Sequence, residues 1–231
     1  VKPGITLDGT VGAFGTKKLT VGLNSGLIAE KYSVDMRYSN IQSDGYVDRA
    51  FTDLKSYFLQ ASYIDDNTLI KALTFGGTEQ TYQSWFGLTT EQLIENRRQN
   101  PYTYENETDN YNQHHYQLHW NQRFGDFWST NLGLNFTKGE GYFEQFEDDT
   151  EAISLYNGIV VATDSYVNDD GNVIPTTDVI RRRWLDNDLF GFTYSATYET
   201  TDKKINATLG GGWNKYLGDH FGETIFADSA S

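Results

Sequence analysis

Three of the four histidines, His114, His115 and His119, stand close enough in sequence to suggest a metal site. On a strand rising ~3.3 Å per residue, His115 and His119 share a face but lie roughly 13 Å apart, too far for one ion, and His114 points the other way. A polar ladder is therefore expected there, and no metal or other cofactor is assigned. His220, beside Asp219, falls in an expected extracellular segment and is not assigned as a proton or metal ligand. Asn168-Asp169-Asp170-Gly171 has the composition of a calcium loop. Setting Gly171 at the sixth position, however, puts Tyr166 and Thr177 where the first and last carboxylate ligands belong, so a solvated turn is expected. Arg181-Arg182-Arg183 would attract an anion or pair with nearby carboxylates, and the pairing is favoured. No nucleophile elbow, phosphate loop or zinc-protease string occurs, and the carboxylates gather in runs such as Glu147-Asp148-Asp149 where solvated charge is the ordinary state. An enzyme is not expected.

Composition narrows the classes further. The 231 residues include 18 Lys+Arg against 32 Asp+Glu, a net charge of -14, and no Cys. A disulfide framework and a thiolate metal site are excluded, and a nucleic-acid partner is not expected because phosphate neutralisation needs a basic face. Aromatics make up 15%, with three Pro and one Met, a composition that favours strands. No apolar run approaches the ~20 residues of a membrane-spanning helix. The opening Val1-Lys2-Pro3-Gly4-Ile5 lacks the charged-then-apolar order of a leader. What remains is a soluble β protein or a membrane β-barrel, whose strands look polar on average because only every second side chain meets lipid.

The elements that must position any site show a two-residue period. Trp128, Thr130, Leu132, Leu134 and Phe136 alternate with Ser129, Asn131, Gly133, Asn135 and Thr137. The preceding segment sets Tyr116, Leu118, Trp120 and Phe124 against Gln113, His115, Gln117, His119 and Asn121, with Gly125-Asp126 as a tight turn between the two. Phe190, Phe192, Tyr194, Ala196 and Tyr198, then Ile205, Ala207, Leu209 and Trp213, repeat the layout near the end. Less regular candidates are 5–14, 19–28, 32–41, 55–63 and 68–75. The second face is rich in Gly, Ser, Thr, Asn and Gln, which suits a watery lumen, and aromatics gather at the ends of the apolar faces, where interfacial girdles sit. Short connections near 29–31, 64–67, 125–126 and 199–203 alternate with long ones at 42–54, 76–111 and 138–183. The fold expected is all-β: part of an antiparallel transmembrane β-barrel with long extracellular loops.

Those loops carry the candidate binding residues. A short helix is expected over 90–98, acidic early and basic late, stopped by Asn100-Pro101. A small hairpin is expected with its tip at Asp169-Asp170-Gly171-Asn172. Loops that collect a solute need aromatics and amides, and Tyr82, Trp85, Tyr102, Tyr104, Tyr142 and Phe143 are the residues chosen for solute contact. Packing of each loop on its neighbours is the competing explanation for the same side chains.

Three strings have a familiar order: Ser43-Asp44-Gly45-Tyr46-Val47-Asp48-Arg49-Ala50-Phe51, the stretch Phe75-Gly76-Gly77 through Ser84-Trp85-Phe86-Gly87, and Gly210-Gly211-Gly212-Trp213 through His220-Phe221-Gly222-Glu223. Together they resemble the barrel of TonB-dependent outer-membrane receptors, especially those of Bacteroidetes, along nearly the whole chain. The resemblance implies a 22-stranded barrel in the bacterial outer membrane with an N-terminal plug, working with the TonB complex to import a scarce solute such as an iron-siderophore complex, cobalamin or a glycan. Residues 1–231 carry about nine or ten strand candidates, no plug domain and no recognisable TonB box, and are expected to be an internal portion of such a barrel. Its partners would then be the small-molecule solute, the plug domain, the TonB complex and outer-membrane lipid. The alternative is a soluble or surface-exposed β-sandwich that binds glycans through exposed aromatics.

Overall fold

The computed structural model describes residues 2–151, 154–155, 159–160, 164–167 and 169–227. Strands β1 (Gly4–Val11), β2 (Lys17–Asn24), β3 (Tyr32–Ser43), β4 (Thr52–Ile64) and β5 (Thr68–Tyr82) form an antiparallel meander. After the short helix α1 (Thr90–Glu95) the meander continues with β6 (Thr108–Phe124) and β7 (Trp128–Glu151). The pair β8 (Ser154–Leu155) and β9 (Ile159–Val160) stands apart from it. β10 (Asp164–Val167) pairs with the start of β11 (Val173–Glu199), and β12 (Asn206–Ala227) pairs with the rest of β11, which in turn pairs with β7. The main ribbon is thus a nine-stranded antiparallel sheet from β1 to β12. Among the described residues it is not closed: β1 pairs only with β2, and β12 only with β11. No helix among the described residues is long and apolar enough to cross a membrane, which bears on helices alone.

Cross-strand register shows why the sequence alternates. Partners facing each other across an antiparallel ladder point to the same side of the sheet, so the apolar residues can be followed from strand to strand. One face carries Leu19, Val21 and Leu23 on β2, Met36 on β3, Leu59 on β4, Ile70 on β5, Trp120 on β6, Leu132 and Leu134 on β7, Phe192 on β11, and Leu209 and Trp213 on β12. Rings bound this belt on both sides. Tyr32 and Tyr63, then Phe124, Trp128 and Tyr198, edge it toward the short turns, while Tyr38 and Tyr57, then Tyr116, Phe136 and Phe190, edge it toward the longer connections. The belt runs obliquely to the hydrogen-bonded rows. The row of Tyr57 leads to His114, two residues from the ring at Tyr116, and the row of Tyr63 leads to Trp120, four residues from the ring at Phe124. A belt that is level while the strands tilt has this geometry.

The opposite face carries Arg37, Gln60, Lys71, Gln117, His119, Asn131, Asn135 and Thr193 in neighbouring rows. Neither face has a second layer on it among the described residues, and Leu209 of the belt is 73% exposed. The accessible surface is 15479 Å² for a 26.3 kDa chain, against about 10,600 Å² expected of a compact monomer of that mass. The few buried side chains, Tyr82, Gln83, Asn100, Glu107, Thr108, Glu144, Thr176, Thr177 and Val179, gather instead where the long β5–β6 connection lies against β7 and β11.

The expected long loops are shorter than the sequence suggested, because the strands run on past the belt. β5 extends to Tyr82 and β6 begins at Thr108, so 76–111 contracts to 83–107, and 138–183 contracts to the stretch between Glu151 and Val173. The 27 residues of β11 would span roughly 85 Å at ~3.3 Å per residue. Polar residues on both faces hid these extensions, since beyond the belt the two-residue period loses its contrast. The expected hairpin tip is present, with Val167 opposite Val173 and Gly171 at φ 81°. The helix is shorter than expected. Thr89 caps it in a reciprocal pair with Gln92, and Asn96 ends it before Arg97-Arg98, so no basic residue lies in its last turn.

Candidate solute-binding rim

Residues 83–107 form a strap across the loop end of the sheet, and side-chain hydrogen bonds fasten it. Gln83, 1% exposed, donates through Nε2 to the carbonyls of Thr108 (3.2 Å) and Glu144 (2.9 Å), and its Oε1 accepts from Gln145 (3.2 Å). Asn100 donates to the carbonyls of Asp48 (3.0 Å) and Gln83 (2.9 Å). Arg49 binds the carbonyls of Asn100 (2.8 Å) and Tyr102 (2.6 Å), tying the β3–β4 connection to the strap. Glu107, 2% exposed, accepts from the Phe146 N–H at 3.2 Å while its Oε1 has no partner among the described residues. Burial raises the Glu107 carboxyl above the ordinary carboxylate range, and the neighbouring Glu147 and Glu144 add to this against Arg181 and the Phe146 N–H. These anchors are two buried amides, a buried acid and an exposed arginine on otherwise polar stretches. Only Asn100-Pro101 hinted at them in the sequence.

A raised carboxyl pKa means that the docked strap holds a proton the free strap gives up sooner. Docking is then strongest below the ordinary carboxylate pKa, weakens as pH climbs from there to the raised value, and is level above it. Hydrogen exchange of the Gln83 and Phe146 amides is expected to show protection falling across that window. Glu107→Gln should flatten the dependence, and an unchanged profile in that variant would remove Glu107 as its source.

The six expected contact residues divide between the two faces. Phe143 lies on the polar face, where Trp85 meets it edge-on at 5.3 Å and the guanidinium of Arg183 sits 5.9 Å from its ring centroid. Trp85 is 54% exposed. Tyr102 is half-buried against Phe86 at 5.1 Å. Tyr142, one residue from Phe143, faces the belt side, packed on Trp184 at 4.5 Å and under Arg182 at 4.4 Å. Tyr104 donates its hydroxyl to Glu144 at 2.8 Å, and Glu144 also holds Arg182 at 2.8 Å. Tyr82, 5% exposed, donates to the Tyr104 carbonyl at 2.6 Å and is a fastening of the strap. The structure therefore brings Trp85 and Phe143 together with Arg183, and places Tyr82, Tyr104 and Tyr142 in the packing beneath and behind.

The arginine run is divided in the same way. Arg181 pairs with Glu147 and Arg182 with Glu144, whereas Arg183 stacks on Phe143. His115 accepts or donates to Thr137 on the polar face and His114 to Tyr57 on the other, and among the described residues no group of three or more metal-ligating side chains occurs. At the rim, Trp85, Phe143 and Arg183 present ring faces and a guanidinium. What fold and rim define together is a one-layer antiparallel β protein with a belted face and a strapped end. No protein-family model matches the chain, and no curated protein matches it.

Proposed function

We propose that the chain is a sector of a transmembrane β-barrel of the TonB-dependent receptor kind, which imports a scarce solute such as an iron-siderophore complex across the bacterial outer membrane. The belt is the observation that carries this reading. From Trp128 to Phe136 it spans nine residues between rings, close to the ~9–11 a tilted strand needs to cross a bilayer, and it continues over eight strands, β2 to β7, β11 and β12, while stepping across the rows as tilted strands require. Lipid would cover the belt, further strands would pair with the edges of β1 and β12, and a plug domain and the TonB complex would act through the rest of the receptor. From β2 onward, connections of three to seven residues fall at one end and those of eight or more, the strap among them, at the other, as periplasmic turns and extracellular loops do.

In this reading the solute meets Trp85, Phe143 and Arg183 first. Cells that depend on this receptor for a labelled ferric siderophore should lose most uptake when Trp85 and Phe143 are both replaced by alanine, while the protein stays in the outer membrane. Uptake at the wild-type rate would remove the rim from the pathway.

A further inference from the structure

Below the rim, a concavity of about 560 Å³ opens on the polar face over β3 to β6. Its shape follows from three rows of register. Arg37, Phe58, Phe75 and His115 are consecutive cross-strand partners and form one wall, with Phe75 and His115 stacked at 4.4 Å. The next row is Ser56, Gly77 and Gln113, whose small members make the floor; a Cβ on Gly77 would collide with the Lys55 carbonyl. Leu54, Glu79 and Tyr111 form the far wall. Large, small and large rows in sequence leave space that neither core packing nor the belt explains. Among the described residues Arg37 has no ion-pair partner, and this in a chain of net charge -14.

We propose that this cavity binds an organic anion with a flat, unsaturated ring, an aryl carboxylate, whose carboxylate lies on Arg37 and whose ring lies along Phe58 and Phe75. An open guanidinium fork beside ring faces selects that combination, because the fork matches a carboxylate and the rings match an apolar plane. Glu79 and Tyr111, on the far wall, accept and donate hydrogen bonds to hydroxyls on the ring's other edge. The size falls within the ~300–1,000 Å³ of small-molecule sites. This inference rests on the polar face being the solute-facing one and adds the chemical class of what it takes.

Fluorine NMR of para-fluorobenzoate titrated into the detergent-solubilised protein, with empty micelles as the blank, tests it. Saturable binding is expected. Arg37→Gln should weaken it about tenfold or more, Arg37→Lys should recover part of the loss and report that the sheet is intact, and para-fluorobenzyl alcohol, the same ring without charge, should bind at least about tenfold more weakly. No saturation, equal binding by Arg37→Gln, equal binding of the alcohol, or displacement by glucose would each overturn the proposal. Bilayer insertion measured on the same preparation separates the two ideas. Saturation without insertion would remove the barrel reading and leave the cavity, and insertion without saturation would do the reverse.

Discussion

Phe192→Arg is expected to cost about 2–4 kcal/mol of stability in a bilayer, the penalty for a cationic side chain near the midplane of a lipid-facing strand. Phe192 lies in the middle of the belt, in one row with Leu118, Leu134 and Trp213. The neighbouring Thr193 points to the polar face, between Gly133 and Gly212, where a long side chain has room and water. Thr193→Arg should therefore cost under ~1 kcal/mol. The contrast between adjacent positions carries the weight, because propensity and backbone change equally in both variants. Urea unfolding from phospholipid vesicles measures it. If the two variants lose the same stability, or if Phe192→Arg loses nothing, the belt does not face hydrocarbon.

The second large effect is expected at Glu144, which is buried and holds both the Arg182 guanidinium and the Tyr104 hydroxyl. Glu144→Ala leaves a half-buried cation and a hydroxyl without their acceptor. Removing one member of a fully buried pair costs about 3–5 kcal/mol, and because Arg182 remains 30% exposed a loss of roughly 2–3 kcal/mol is expected. The strap should bear the loss, since Tyr104 belongs to it while Arg182 belongs to β11. Limited proteolysis is expected to cut between positions 83 and 107 much faster in Glu144→Ala, with the sheet staying protected. Glu144→Gln keeps an acceptor and should fall between the two. Cleavage spread evenly over the chain would mean that Glu144 supports the whole sheet and not the strap.

Much of the fold was legible because one physical rule, alternation between an apolar and a polar face, governs the belt. Trp128 to Phe136, its partner strand through Trp120, and the stretch from Phe190 to Tyr198 fall on the faces that alternation assigns. Beyond the belt the faces no longer contrast, and nothing in the period sets the extensions of β5, β6, β7 and β11 apart from loop. The site was legible only as a composition. The aromatic residues gather at the strapped end of the sheet, yet nothing local separated Phe143, which meets Trp85, from Tyr142, which faces away. The anchors Gln83, Arg49 and Glu107 were not legible, because their roles depend on partners such as Glu144 and Tyr102 that lie many residues away. The row that joins Arg37 to Phe58 and Phe75 likewise exists only once three strands are in register.

The five tryptophans allow the most direct test that hydrocarbon covers the belt. Trp120, Trp128 and Trp213 lie on the belt or its lower ring edge, whereas Trp85 is at the rim and Trp184 lies on the same face as the belt but well beyond it. Single-tryptophan variants, with phenylalanine at the other four positions, would be reconstituted in vesicles of lipids brominated on their acyl chains. Strong quenching of Trp120 and Trp213, intermediate quenching of Trp128, and little quenching of Trp85 or Trp184 is the expected result. Equal emission from all five, with or without brominated lipid, would contradict it.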